Sequence, residues 1–207
     1  MMLLTFTTTA QEPVMTIGGS PTGLRAYQII IPAAATGTEI LAAQELRHYM
    51  HLLSRVELSV VSDTSAAGSS EFVIGNTNRQ SQADNSETLD PDGFHLLTEG
   101  LKVFITGGHG KGTLYGVYEF LEKYAGCRFW APDAETVPVT DTLVIPSLNE
   151  THHPAFQSRE VYYAGISDEA FADKMRSHRH AWTKDGEWGL WVHTMFKLVP
   201  PETYFDH

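Results

Sequence analysis

Among 207 residues there is one cysteine, Cys127. No disulfide can form within the chain, and a core of this size needs none in any redox compartment. Cys127 sits between Gly126 and Arg128 in an apolar neighbourhood. With no histidine near it in sequence, it reads as a buried, inert thiol and not as a nucleophile. Positive charge is scarce too: 14 Lys and Arg stand against 25 Asp and Glu, a formal net charge of −11. That excludes the basic footprint of a nucleic-acid binder and the polybasic segment that seeks an anionic membrane surface. No apolar run approaches the ~20 residues of a membrane-spanning helix, and no internal repeat is present. What remains open to an acidic chain is a neutral, polar ligand such as a small molecule or a glycan. The hydrophobic fraction of 42% is too high for a wholly disordered chain.

The chain begins with a short apolar stretch, Met1 to Phe6, followed by three threonines. It carries no positive residue and falls short of the ~7–15 apolar residues of a signal peptide. Residues 1–12 read either as the remnant of a signal peptide cut after Ala10 or as a disordered terminus. The first reading places the protein in the periplasm or outside the cell.

From residue 13 the chain alternates short strands with two helices. Val14–Ile17, Tyr27–Ile31, Leu58–Val61 and Glu71–Gly75 are β-branched or apolar runs bounded by Gly, Pro or small polar residues. Phe94–Thr98 and Leu101–Thr106 flank Glu99-Gly100, a hairpin signal. Cys127–Trp130 and Thr142–Ile145 complete the strands. Thr36 and Glu39 have capping-box spacing, and Ala42, Leu46, Tyr49, Met50 and Leu53 then trace one face of a helix. Leu114, Val117, Tyr118 and Leu121 trace a second, closed by Gly126 as a left-handed cap. The pattern predicts an α/β sandwich over residues 13–146, one mixed sheet with two helices on one face. Residues 76–92 read as a long surface loop, 147–153 as a polar linker, and Asp168–His180 as a further helix. Residues 182–196 are unusually aromatic.

Several motifs fail in detail. The glycine turn at 107–112 lies between a strand and a helix, as a phosphate loop would, but Lys111 is followed by Gly112 where a P-loop needs Ser or Thr. Its glycines read instead as a tight turn and a close helix approach. Glu119, Glu122, Glu160 and Glu169 offer no pairing across a cleft of the kind glycoside hydrolysis needs. His48/His51, His152-His153 and His178-Arg179-His180 lack the further ligands of a zinc site. No metal or cofactor is expected. Trp182, Trp188 and Trp191 offer flat faces on which sugar rings stack through their C–H bonds, which makes Trp191 a candidate substrate contact.

The block Gly112-Thr-Leu-Tyr-Gly-Val-Tyr-Glu-Phe-Leu-Glu-Lys-Tyr-Ala-Gly-Cys-Arg-Phe-Trp-Ala-Pro132 resembles the N-terminal accessory domain of bacterial α-glucuronidases, and domain two of family 20 β-N-acetylhexosaminidases is similar. Ala43-Gln44-Glu45-Leu46 with Tyr49, Phe72-Val73-Ile74-Gly75 and Gly93-Phe94-His95 agree with it. The resemblance implies that a (β/α)8 barrel follows, its first strand at Pro154-Ala155-Phe156 then Arg159-Glu160, so that residues 154–207 are the beginning of a truncated barrel. It implies Arg159 as a sugar contact, through the rigid donor fork of a guanidinium, with an ion pair to a carboxylate as the plain alternative. His193 is a second candidate. The families' catalytic carboxylates lie on later strands, so this chain is expected to be non-catalytic. The expected partners are an oligo- or polysaccharide and its own C-terminal barrel, with no nucleic acid and no membrane span. The alternative is a standalone glycan-binding or scaffold module.

Overall fold

The computed structural model describes residues 13–18, 21–79, 89–140, 142–161 and 163–178, and Thr203. Its elements run β1 (Pro13–Gly18), α1 (Pro21–Arg25), β2 (Gln28–Ile31), α2 (Gly37–Ser54), β3 (Ser59–Ser62), β4 (Ser70–Ile74), β5 (Phe94–Glu99), β6 (Leu101–Gly107), α3 (Gly112–Lys123), β7 (Arg128–Ala131), β8 (Ala134–Thr136), β9 (Thr142–Pro146), β10 (Asn149–His152), a 3-10 turn (Ala164–Ser167) and α4 (Glu169–Lys174).

Six strands form one mixed sheet in the order β10-β5-β6-β4-β2-β3. The β3–β2, β2–β4 and β4–β6 pairs are parallel, while β6–β5 and β5–β10 are antiparallel. Two antiparallel pairs, β1–β9 and β7–β8, stand apart. Alternation along the strands puts Ile29, Phe72, Ile74, Phe94, Leu96, Val103 and Ile105 on one face. There they share a core with Ala42, Ala43, Leu46, Tyr49, Met50 and Leu53 of α2 and with Leu114, Val117, Tyr118, Phe120 and Leu121 of α3. The α/β sandwich with both helices on one face is thus the observed architecture. Val73, Leu97 and Phe104 form a smaller apolar cluster on the opposite face.

The helix ends follow local chemistry. Thr36 accepts from the Glu39 backbone N–H, and the Glu39 side chain accepts from the Thr36 N–H, so the capping box is closed. Gly126 has φ +76, and the Cys127 N–H reaches back to the Leu121 carbonyl, which ties off the carbonyls at the end of α3. Glu99 pairs with Lys102, so Gly100, at φ +59, and Leu101 make the hairpin turn.

Three elements differ from the sequence reading. Residues 147–153, expected to be a linker, contain β10, which adds an antiparallel edge strand to β5. Buried Leu148 anchors it by exchanging backbone and hydroxyl hydrogen bonds with Thr98. An edge strand tolerates polar residues on both faces, so Asn-Glu-Thr-His carries no alternation to reveal it. The expected helix Asp168–His180 ends at Lys174, because Arg176 takes φ +49. Among the described residues of 156–163 there is no strand: Glu160 makes a single parallel bridge to His178. The short elements α1 and β8 had no signal in the pattern.

Candidate functional site

The polar groups converge where the sandwich meets residues 156–178. The loop Asp90-Pro91-Asp92-Gly93 lies against the glycine turn. The Pro91 carbonyl accepts from the N–H groups of Gly110 (2.7 Å) and Gly112 (3.3 Å), and the Gly93 carbonyl from Gly108 (2.9 Å). A Cβ at Gly108 would strike the Asp90 carbonyl oxygen, and one at Gly112 the Gly93 carbonyl oxygen. The glycines are there to let two backbones touch, as the sequence pattern suggested. The contact fixes Asp92.

Asp92 is the hub. Its Oδ1 accepts from the Lys111 N–H at 3.0 Å. Its Oδ2 accepts from Arg159 Nη2 at 2.6 Å and from His178 Nε2 at 3.0 Å. Burial pushes the Asp92 carboxyl up, but the hydrogen bonds from His178, Lys111 and Arg159 outweigh it and hold it below the usual aspartate range. His178 Nδ1 accepts the Arg159 backbone N–H at 3.4 Å, which assigns the proton of the neutral ring to Nε2, facing Asp92.

Arg159, the sugar contact implied by the resemblance, has three of its five N–H donors engaged within the protein. Nη2 goes to Asp92, Nε to the Arg176 carbonyl (2.9 Å) and Nη1 to the Phe156 carbonyl (2.8 Å). Its guanidinium carbon lies 5.7 Å from the centre of the Tyr115 ring, within cation–π range. The structure therefore shows the ion pair. His193 and Trp191 lie outside the described residues, as do Trp182 and Trp188.

A row of charged contacts continues along α3. Lys111 Nζ meets Asp173 Oδ1 at 2.6 Å, Lys174 Nζ meets Glu135 at 3.0 Å, and Arg176 reaches Glu119 (2.5 Å) and Glu122. Burial raises the Asp173 carboxyl above its ordinary value despite Lys111. Beneath these pairs Ile166, Phe171 and Ala172 enter the main core. No local pattern marks Asp92, Lys111, Asp173 or Arg176 as partners, since each lies more than fifteen positions from its mate. The Asp-Pro-Asp-Gly turn beside a glycine turn was the one available signal.

This arrangement neutralises charge and fixes geometry. Among the described residues, no group of three or more His, Cys, Asp or Glu side chains could hold a metal ion. Cys127 is fully buried. Burial first, then the carboxylates of Glu135 and Glu122, push its thiol up to about 12, so it is no nucleophile at neutral pH. No described helix is long and apolar enough to cross a membrane.

Residues 18–120, which hold the sheet core, α2, the glycine turn and most of α3, match the family model described as Glycosyl hydrolase family 67 N-terminus. The chain carries an α-glucuronidase-like N-terminal domain. It is 30% identical over 125 residues to "Probable alpha-glucuronidase A" of Neosartorya fischeri, covering 58% of this chain and 15% of that protein. It is 49% identical over 45 residues to alpha-glucuronidase A of Aspergillus tubingensis, covering 22% and 5%. These relatives are fungal, whereas the resemblance drawn from the sequence is to bacterial enzymes. The match to each spans 15% or less of the relative's length. Among solved structures, a family GH115 4-O-methyl-α-glucuronidase aligns with TM-score 0.43 at 16% identity, over 70% of this chain and 19% of that one. A GH20 exo-β-N-acetylglucosaminidase from Vibrio harveyi aligns with TM-score 0.41 at 16% identity, over 72% and 19%.

Proposed function

We propose that this α-glucuronidase-like domain is the non-catalytic N-terminal part of a carbohydrate-active glycoside hydrolase acting on oligo- or polysaccharide glycans. Its task is to carry and orient the start of the catalytic domain. The observation that carries this is the clamp on residues 156–178. Glu160 and His178 are bridged in parallel with a 3-10 turn and α4 between them. Parallel pairing needs such a crossover, and it is the unit from which a (β/α)8 barrel is built. The sandwich grips both sides of that bridge through one carboxylate, Asp92, which holds Arg159 and His178. In this reading Arg159 and His178 hold the start of the barrel in place, and a sugar contact by Arg159 would fall to the second N–H of Nη1 or Nη2, since Nε and one N–H of each terminal nitrogen serve Arg176, Phe156 and Asp92. The relatives' name, alpha-glucuronidase, supports glucuronide-bearing glycans as the substrate class of this reading.

Hydrolysis usually needs two carboxyl groups held across the scissile bond at ~5–9.5 Å. The seam carboxylates Asp92, Asp173 and Glu119 are each tied to a cation. The purified 207-residue chain is therefore expected to release no product from a panel of aryl glycosides, aryl glucuronides and glucuronoxylan. Turnover that disappears on changing one carboxylate within residues 1–207 would overturn the reading.

A further inference from the structure

The described residues hold one tryptophan, Trp130, and it is 64% exposed. It lies on the β7–β8 hairpin. Arg128 pairs with Thr136 and Phe129 with Glu135, but Ala131 pairs with Ala134. One extra residue is thus accommodated on β7, and that residue is Trp130. A bulge of this kind re-aims a side chain. Phe129, just before it, stays buried and packs edge-on against Tyr49 (5.4 Å) and Tyr118 (5.6 Å), so the strand beneath the indole is anchored. The indole itself is fixed as well: Nε1 donates to Thr136 Oγ1 at 3.0 Å across the hairpin. With its only polar atom engaged, the ring presents an apolar surface in a set orientation.

Nothing in the sandwich core or the Asp92 seam needs an exposed indole. Its neighbours decide what it fits. Within residues 128–136 it is the one large apolar side chain left exposed, and Arg128, Asp133, Glu135 and Thr136 around it in sequence are exposed, polar and of mixed charge. A protein-docking face needs contiguous apolar area, with several such side chains together. A single flat ring among hydrogen-bonding groups of both signs fits a sugar instead, whose C–H face is apolar and whose rim is hydroxylated.

We propose that Trp130 is a carbohydrate-stacking platform that takes a neutral pyranose unit of a polysaccharide. The proposal rests on the glycan reading above but adds a site to it. The test is affinity electrophoresis of the full chain in native gels cast with xylan, glucuronoxylan, galactomannan or no polysaccharide. Wild type and Trp130→Tyr, which keeps a ring, are expected to be retarded by at least one polymer. Trp130→Ala and Trp130→Gln are expected to lose that retardation, with at least a tenfold weaker dissociation constant. Because the ring is exposed, all variants should keep the wild-type urea midpoint. Equal retardation of Trp130→Gln and wild type overturns the platform while leaving glycan binding standing. No retardation of wild type by any polymer also overturns it, and leaves the separate hydrolysis result untouched.

Discussion

Replacing Asp92 by Asn keeps the side-chain shape and removes only the charge. The amide oxygen still accepts from the Lys111 N–H, but Arg159 and His178 lose their carboxylate. A hydrogen bond to a charged group contributes roughly 1.5–3 kcal/mol, and breaking a fully buried ion pair costs about 3–5 kcal/mol. Here the two side chains keep 16% and 19% exposure, so water screens part of the loss and about 2 kcal/mol is expected. For a chain of this size that lowers the melting temperature by roughly 4–8 °C. The pH dependence gives an independent check. The folded Asp92 carboxyl lies below its ordinary value, so its stabilisation is full above the unfolded aspartate range and fades as pH falls through the folded value. The variant should lose that acid-side slope. Asp173 has the opposite sign: its folded value is raised, so its ionisation costs stability as pH rises, and Asp173→Asn should steepen the acid-side rise. Urea unfolding across pH measures both. Hydrogen exchange should also show faster opening of amides in residues 156–178 than in α3. A double-mutant cycle with Arg159→Gln should return a coupling of at least ~0.5 kcal/mol. Wild-type midpoints for Asp92→Asn at neutral pH, with unchanged exchange in 156–178, would refute the clamp.

Other perturbations test the rest of the fold. Leu121 is fully buried in α3, and Leu121→Ala should cost ~2–5 kcal/mol in urea unfolding; Glu122→Ala removes one of two carboxylates on Arg176 and should cost under ~1 kcal/mol. Glu71 is fully buried between Lys102 (2.7 Å) and Arg79 (3.3 Å) on the second face of the sheet, so Glu71→Gln strands two cations and should cost ~3 kcal/mol. By contrast Glu57→Gln, whose pair with Arg47 is exposed, should shift the urea midpoint by an amount worth under ~0.5–1 kcal/mol.

What could be read from the sequence was what local chemistry decides. The capping box at Thr36 and Glu39, the face of Leu114, Val117, Tyr118 and Leu121, and the left-handed Gly126 each depend on residues within one or two turns, and each stands where the pattern put it. The strand β10 could not be read, because a polar edge strand owes its existence to the partner β5 and to Leu148 and Thr98, some fifty residues away. The seam was illegible for the same reason. Asp92 and Arg159 are 67 positions apart, and Arg176 and Glu119 are 57 apart. Glu122 reads as solvated when α3 is considered alone, and only the turn at Arg176 gives it a partner. Arg159 illustrates what a resemblance leaves out: it singles the residue out for a sugar, and the partners Asp92 and the Arg176 and Phe156 carbonyls, which take three of its N–H groups, are visible only in the structure.

The distribution of charge explains why the seam sets orientation more than stability. With 14 basic residues in the chain, four of them, Lys111, Arg159, Lys174 and Arg176, are placed on one seam. Each pair is only partly buried, and apart from Asp92, which serves two side chains at once, such pairs contribute little apiece. The adhesive energy comes from Ile166, Phe171 and Ala172 entering the main core, at roughly 1.5–3 kcal/mol for each large side chain. Apolar contact alone would let the segment slide, since it is non-directional. Three hydrogen bonds converging on Asp92 from a backbone N–H, a guanidinium and an imidazole do not permit sliding, because each has its own angle. A conservative Arg159→Lys change separates the two contributions. The ammonium keeps the charge but cannot serve Asp92 and the Arg176 and Phe156 carbonyls together from a planar fork. Global stability should therefore fall by under ~1 kcal/mol, while exchange of amides in residues 156–178 quickens. A variant that lost stability without any local change in exchange would show that the seam contributes adhesion and not alignment.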